Sequence, residues 1–240
     1  MIDPDRHLQI GSLLFDGLDQ IDLTGPFEVL SRIPNATYRI YAKDREPVTD
    51  VNGLRLVADA ILSEAPKLDV LHVPGGYGQE ALMKDEAVLD WIRAQADGAL
   101  CVFPVCTGAL ICGAAGLLVG KRATSHWSAH HLLHHFGAIP VDARVVEDGN
   151  LICAAGVTAG IDGALTVAAR LRGTEAAQLI QLYMAYAPEP PFDAGTPERA
   201  PAPVLARARA AASKITAQRE ITAKRIEARL GLTRSSSAEG

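Results

Sequence analysis

Residues 102–116 read V-F-P-V-C-T-G-A-L-I-C-G-A-A-G, and their layout decides the fold. The apolar run 100–105 contains β-branched and aromatic residues and predicts a strand. It stops abruptly at Cys106. Three small residues follow, Thr107, Gly108 and Ala109, and then a helix-like stretch at 110–117. The pattern is strand, sharp turn, helix, with a thiol at the corner. Hydrolases use the same layout to lift a nucleophile out of a strained turn. A cysteine placed there also meets the positive end of a helix, which favours thiolate over thiol. A small apolar residue can equally well fill a strand–helix junction. The stretch alone leaves both readings open.

Outward from this corner, strands and helices alternate. The runs 8–15, 38–42, 70–73 and 122–124 read as strands, and 51–54 with its Asn-Gly pair reads as a hairpin turn. A short helix is expected over F-E-V-L-S, 27–31, after Pro26. Residues 79–96 place Leu82, Leu89 and Ile92 on one helical face. Further helices are expected at 128–136, 158–171 and 174–184, with a hairpin of 143–147 and 150–153 around Asp148-Gly149. Such alternation predicts an α/β fold with a largely parallel sheet flanked by helices. Active sites in such sheets lie beyond the carboxyl ends of the strands. Asp22, Gly75-Gly76 and Cys106 each follow a predicted strand, so three distant segments can converge.

The α/β domain is expected to span 1–186. Residues 186–203 lack periodicity and are rich in Pro, Ala and Glu, which predicts an extended arm. Residues 204–230 form an Ala/Arg/Lys-rich helical pattern with few large apolar side chains. A solvated or partner-packed helix is expected there, so 187–232 reads as a C-terminal arm and helix packed on a dimer. The polar run 233–240 is expected to be disordered.

The 240-residue chain carries a net charge of −5 and 48% hydrophobic residues. That balance argues against nucleic acid as a partner, which would need a basic patch. A helix-turn-helix also fits the C-terminal region poorly. No apolar run approaches the ~20 residues of a membrane span. The polar start M-I-D-P-D-R-H lacks the core of a secretory signal. The four cysteines form no C-x-x-C pair, which suits a cytoplasmic protein. Cys101, Cys112 and Cys153 are expected to be buried small hydrophobes.

Several segments together carry a resemblance. They are D-L-T-G-P-F-E-V-L at 22–30, V-P-G-G-Y-G at 73–78, V-C-T-G-A-L-I-C-G-A-A-G-L-L at 105–118, A-T-S-H-W at 123–127 and T-A-G-I-D-G-A-L at 158–165. In this order they resemble the ThiJ/PfpI superfamily of flavodoxin-like α/β proteins. The run A-P-E-P-P-F-D-A-G-T-P at 187–197 and the basic C-terminal helix extend the likeness to its isonitrile hydratases. The resemblance implies a homodimer and a cysteine nucleophile, with no metal or organic cofactor. It also implies conversion of a small-molecule isonitrile to an N-substituted formamide.

On that resemblance Cys106 is the nucleophile and forms a thioimidate that water resolves. Asp22 is the acidic partner that protonates the isonitrile carbon and then helps activate water. Its alternative reading is a helix N-cap, with Thr24 a rival cap. Thr107 stands where proteolytic and glyoxalase-like members often carry histidine. Threonine is no base at neutral pH, so its hydroxyl is read either as a hydrogen-bonding group at the site or as packing. Gly75 and Gly76 are read as substrate-binding backbone, with N–H groups available to developing charge. Ile21, with Leu23 and Phe27, would suit a hydrophobic R group. His126 is either a general base or a structural histidine, and Asp162 is expected to stabilise its helix. The histidines at 130, 131, 134 and 135 have helical i,i+4 spacing but lack accompanying acidic or cysteine ligands, so a solvated face is expected. Pro104 departs from the resemblance and is awkward in a central strand. A glyoxalase- or deglycase-like enzyme, a redox sensor or chaperone, and a ligand-sensing regulatory domain are the rival functions.

Overall fold

The computed structural model describes residues 2, 3 and 5–232. The expected disordered tail at 233–240 lies outside the described residues. In chain order the first elements are β1 (Leu8–Leu13), α1 (Gln20–Leu30), β2 (Ala36–Ala42), β3 (Val48–Thr49), β4 (Arg55–Leu56) and β5 (Ala60–Ile61). Next come β6 (Val70–Val73), α2 (Gln79–Leu82), α3 (Glu86–Ala96), β7 (Cys101–Pro104), α4 (Gly108–Ala114) and β8 (Arg122–Ala123). The rest are β9 (Ile139–Pro140), β10 (Val145–Asp148), β11 (Leu151–Ala154), α5 (Ala159–Arg172), α6 (Thr174–Tyr183) and α7 (Ala202–Arg229).

The main sheet has the order β10-β11-β7-β6-β1-β2-β5, parallel except for the β10–β11 hairpin at its edge. From the central β1 the chain steps first to β2 on one side and then to β6 on the other. The switch point therefore lies between β1 and β6, where open α/β sheets form their crevice. Asp22 follows β1, Gly75 follows β6, and Cys106 follows the adjacent β7.

Alternation along the strands builds a core on each face of the sheet. Phe103 and Val105 pack with Val29, Leu30, Val167 and Leu171 of α1 and α5. Val102 and Leu71 face the other way, with Leu89, Leu110, Phe136 and Ile226. This flavodoxin-like α/β arrangement, with its C-terminal arm and helix, is the fold the sequence predicts. No helix among the described residues is long and apolar enough to cross a membrane.

Four local expectations change. First, α1 begins at Gln20, not after Pro26, and encloses the proline. Proline cannot donate to the carbonyl four residues back, so the Asp22 carbonyl loses its helical partner. Second, the helix expected over 79–96 is two helices. The Asp85 side chain accepts from the Val88 N–H at 3.3 Å and caps α3, which breaks the run. Third, 130–136 is a 3-10 segment, not an α-helix. The i,i+3 pair Leu133 and Phe136 satisfies a three-residue period as well as a helical one. Fourth, Pro104 sits in a central strand without disrupting it. Val102 N–H donates to Asn150 and Cys106 N–H to Ala154, so even-numbered residues of this strand donate toward β11. Pro104 omits one rung of that ladder, and pairing resumes at Val105–Ala154.

Candidate active site

Cys106 has φ +57°, a left-handed conformation rare for a side-chain-bearing residue. The strain is held from both sides. Its N–H donates to the Ala154 carbonyl at 2.9 Å, and its carbonyl accepts from the Ser125 hydroxyl at 2.8 Å. The corner therefore has the geometry of a nucleophile elbow. The residue is 6% exposed.

Asp22 lies in the first turn of α1 and is fully buried. It does not cap its own helix. Instead Oδ2 accepts the Gly75 N–H at 3.1 Å, across the switch point. Thr24 is no cap either, since its hydroxyl donates to Gln20 Oε1 at 2.7 Å. The Cys106 thiol faces the Asp22 carboxyl and eases its charge, and Oδ1 has no other hydrogen-bond partner among the described residues. Burial, reinforced by the charge of Asp19, pushes the Asp22 carboxyl up to about 7. Burial, followed by the charge of Asp22, holds the Cys106 thiol well above its usual range, with the Thr107 N–H opposing. The expected thiolate preference is thus reversed while Asp22 is charged: desolvation and a neighbouring carboxylate outweigh the start of a seven-residue helix.

Two loops lock this pair in place. The segments around Leu18 and Gly76 form an antiparallel bridge, and Asp19 N–H donates to the Gly75 carbonyl at 2.9 Å. Gly76 has φ +134°, and a Cβ there would lie 2.4 Å from the Asp19 nitrogen. Its N–H donates to Thr107 Oγ1 at 3.0 Å, and that hydroxyl donates back to the Gly76 carbonyl at 3.2 Å. The N–H groups of Gly75 and Gly76, expected to be open to substrate, are therefore both occupied. They bind the site's own side chains, because the loops meet too closely to leave them free. Ile21 is partly buried on α1, near Gly25 and Ile161. Leu23 belongs to the core, and Phe27 packs edge-on against the Tyr38 ring.

Beneath Asp22, His72 is fully buried. Its Nδ1 pairs with Ser12 Oγ at 2.6 Å, and Ser12 contacts the Tyr38 hydroxyl at 2.5 Å. Burial pushes His72 down to about 3, so the ring is neutral, with the freed Asp22 carbonyl facing it. His126 Nδ1 pairs with the Ser128 hydroxyl at 2.8 Å, and burial with the charge of Arg219 pushes it down to about 4. It is held and uncharged. Asp162 bonds Arg144 and accepts from the Tyr186 hydroxyl at 2.8 Å, which ties the arm to α5. The thiols of Cys101, Cys112 and Cys153 are buried and shifted upward, as expected for packing residues. Among the described residues, no group of three His, Cys, Asp or Glu is placed to hold a metal.

Two features escaped the sequence reading. A cavity of about 1050 Å³ lies between the 125–128 segment, the 155–159 loop and α7. Cys106 is not on its wall; Ser125, which holds the Cys106 carbonyl, is. The other is Arg219 of α7, 2% exposed, which reaches the Gly76 carbonyl. Residues 219, 222, 223 and 226 are the buried stripe of α7, at i, i+3, i+4 and i+7. That spacing is visible in the sequence, with an arginine at an apolar position.

These features define a flavodoxin-like α/β protein with a cysteine elbow facing a buried carboxyl group. The chain belongs to the DJ-1/PfpI family, whose description matches residues 9–170. It is 52% identical to the isonitrile hydratase of Pseudomonas putida, over 94% of this chain and 99% of that protein. A ThiJ/PfpI family protein from Pseudomonas syringae superposes with a TM-score of 0.88 at 40% identity, covering 91% of each chain. Drosophila melanogaster DJ-1beta gives a TM-score of 0.70 at 25% identity, and all of it is covered by 76% of this chain.

Proposed function

We propose that this protein hydrates isonitriles to N-substituted formamides through a covalent thioimidate on Cys106. The observation that carries the reading is the buried Asp22 carboxyl, its Oδ1 unpartnered, facing the thiol of the strained elbow. The near full-length likeness to an isonitrile hydratase supports the same chemistry.

The thiol proton passes to Asp22, leaving a thiolate beside a neutral acid. Asp22 delivers that proton to the isonitrile carbon as the sulfur attacks it, giving R–N=CH–S–Cys106. Asp22, again a carboxylate, takes a proton from water as the water adds to that carbon. Asp22 passes that proton to the nitrogen, then takes the adduct's hydroxyl proton as the C–S bond breaks and returns it to the departing sulfur, which forms R–NH–CHO and restores thiol and carboxylate. A carboxyl near 7 can both give and take the proton at neutral pH. Thr107 serves by holding Gly76, and Gly75 by holding Asp22. With threonine at 107, the elbow lacks an adjacent histidine base, which disfavours the glyoxalase-like rival.

In this reading residues 1–186 form the catalytic domain and 187–232 an arm and helix packed on a homodimer. Exposed Leu179, Leu182 and Phe192 support such an interface. Four free, buried cysteines support a reducing cytoplasmic setting. The test is turnover of alkyl and aryl isonitriles by the purified protein, with methylglyoxal as comparison. Formamide formation that Cys106→Ala abolishes is expected. Lactate from methylglyoxal without any formamide would overturn the reading.

A further inference from the structure

We infer that Arg219, brought to the site by the C-terminal helix, is a positioning residue whose buried charge stabilises the Cys106 thiolate for the covalent step. The inference rests on the hydration reading for its role in turnover, and on geometry for its placement. Arg219 is 2% exposed, unlike most arginines, and α7 otherwise exposes its charged side chains widely. Its Nε donates to Gln79 Oε1 at 2.7 Å and its Nη2 to the Gly76 carbonyl at 2.8 Å. Among the described residues no carboxylate bonds it directly. One turn on, Thr222 donates to Glu80 Oε1 at 2.6 Å and fastens α7 to α2, the helix that follows this loop. The family match ends at residue 170, so this cation comes from the part of the chain beyond it.

A buried guanidinium is costly unless something compensates for it. The groups that favour its charge are Cys106, Tyr77 and Glu80, with the thiolate first among them. Cys106 in turn faces Asp22 and Asp19, both of which oppose its ionisation. His126, which also feels Arg219, is neutral. Arg219 is therefore the cation placed to offset the new thiolate, with Asp19 beside it, at the moment the thiol hands its proton to Asp22. Through the Gly76 carbonyl it also fixes the loop that holds Thr107 and Asp22.

The test is the rate at which iodoacetamide alkylates Cys106, mapped by peptide mass spectrometry, in the wild type, Arg219→Gln and Arg219→Lys. Loss of the charge should move the pH profile up by about one unit and slow alkylation at pH 8 about tenfold. Arg219→Lys should stay within about threefold of wild type, because it keeps the charge. A purely structural role predicts the opposite sign, since a loosened loop exposes the thiol and speeds alkylation. Equal or faster alkylation in a folded Arg219→Gln would overturn the inference. If that variant does not fold, a folded Arg219→Lys that reacts tenfold more slowly would overturn it instead. No isonitrile enters this assay, so failure of the hydration reading is seen separately, as absence of formamide from the wild type.

Discussion

At Asp22, burial and function pull in opposite directions. The carboxyl is raised to about 7 in the folded protein from an ordinary 3.8. Its contribution to stability is complete below the unfolded value and is lost as pH rises through about 7. The loss is on the order of 4 kcal/mol. Asp22→Asn should remove that loss, so the change in urea midpoint from pH 4 to pH 8 should be more favourable to pH 8 in the variant than in the wild type. His72 titrates the other way, from 6.5 down to about 3, and cancels in the comparison. The same variant should lower kcat by about 10²–10⁴-fold. In the wild type kcat/KM should rise with pH through an apparent midpoint near 7, as the thiol–carboxyl pair gives up the first of its two protons. Thr107→Val should cost about 1–3 kcal/mol, because it leaves the buried Gly76 N–H without an acceptor. Equilibrium unfolding would report that change. Asp22 and Cys106 were legible in the sequence because each follows a predicted strand. Arg219 was missed: its spacing with 222, 223 and 226 is present in the sequence, but an arginine in an Ala/Arg/Lys helix reads as solvated until packing shows which face is buried.

Among the elements, the start of α4 crosses the loop after β6 at very short range. A Cβ on Gly75 would stand 2.6 Å from the Thr107 nitrogen and 2.9 Å from Asp22 Oδ2. Gly75→Ala should therefore displace the pair it positions. The expected cost is about 1–3 kcal/mol in unfolding, with kcat down by at least about tenfold. Unchanged turnover would show that the loop is not fixed by this contact. Strands were readable because short β-branched runs end in Gly and Pro. Helix boundaries were less so: Pro26 looked like a start signal, and the cap at Asp85 was hidden inside a continuous periodic pattern. Pro104 looked disruptive, yet skipping one rung costs the sheet little when its neighbours on the same strand remain paired.

For the molecule as a whole, the parallel sheet followed from the alternation of strands and helices, and the order of its motifs extended that reading to the C-terminal arm. The proposed dimer is read from the surface. Leu179 and Leu182 of α6 are 61% and 78% exposed. Light scattering should give twice the 25.4 kDa chain mass, and Leu179→Glu with Leu182→Glu should halve it. A monomeric wild type would remove the dimer from the account. Covalent hydration at Cys106 is tested by intact-protein mass spectrometry during turnover of an aryl isonitrile. An adduct equal to the mass of one isonitrile, mapped to Cys106, is expected to form and to decay as formamide accumulates. Formamide produced with no adduct, and at an undiminished rate by Cys106→Ala, would contradict it.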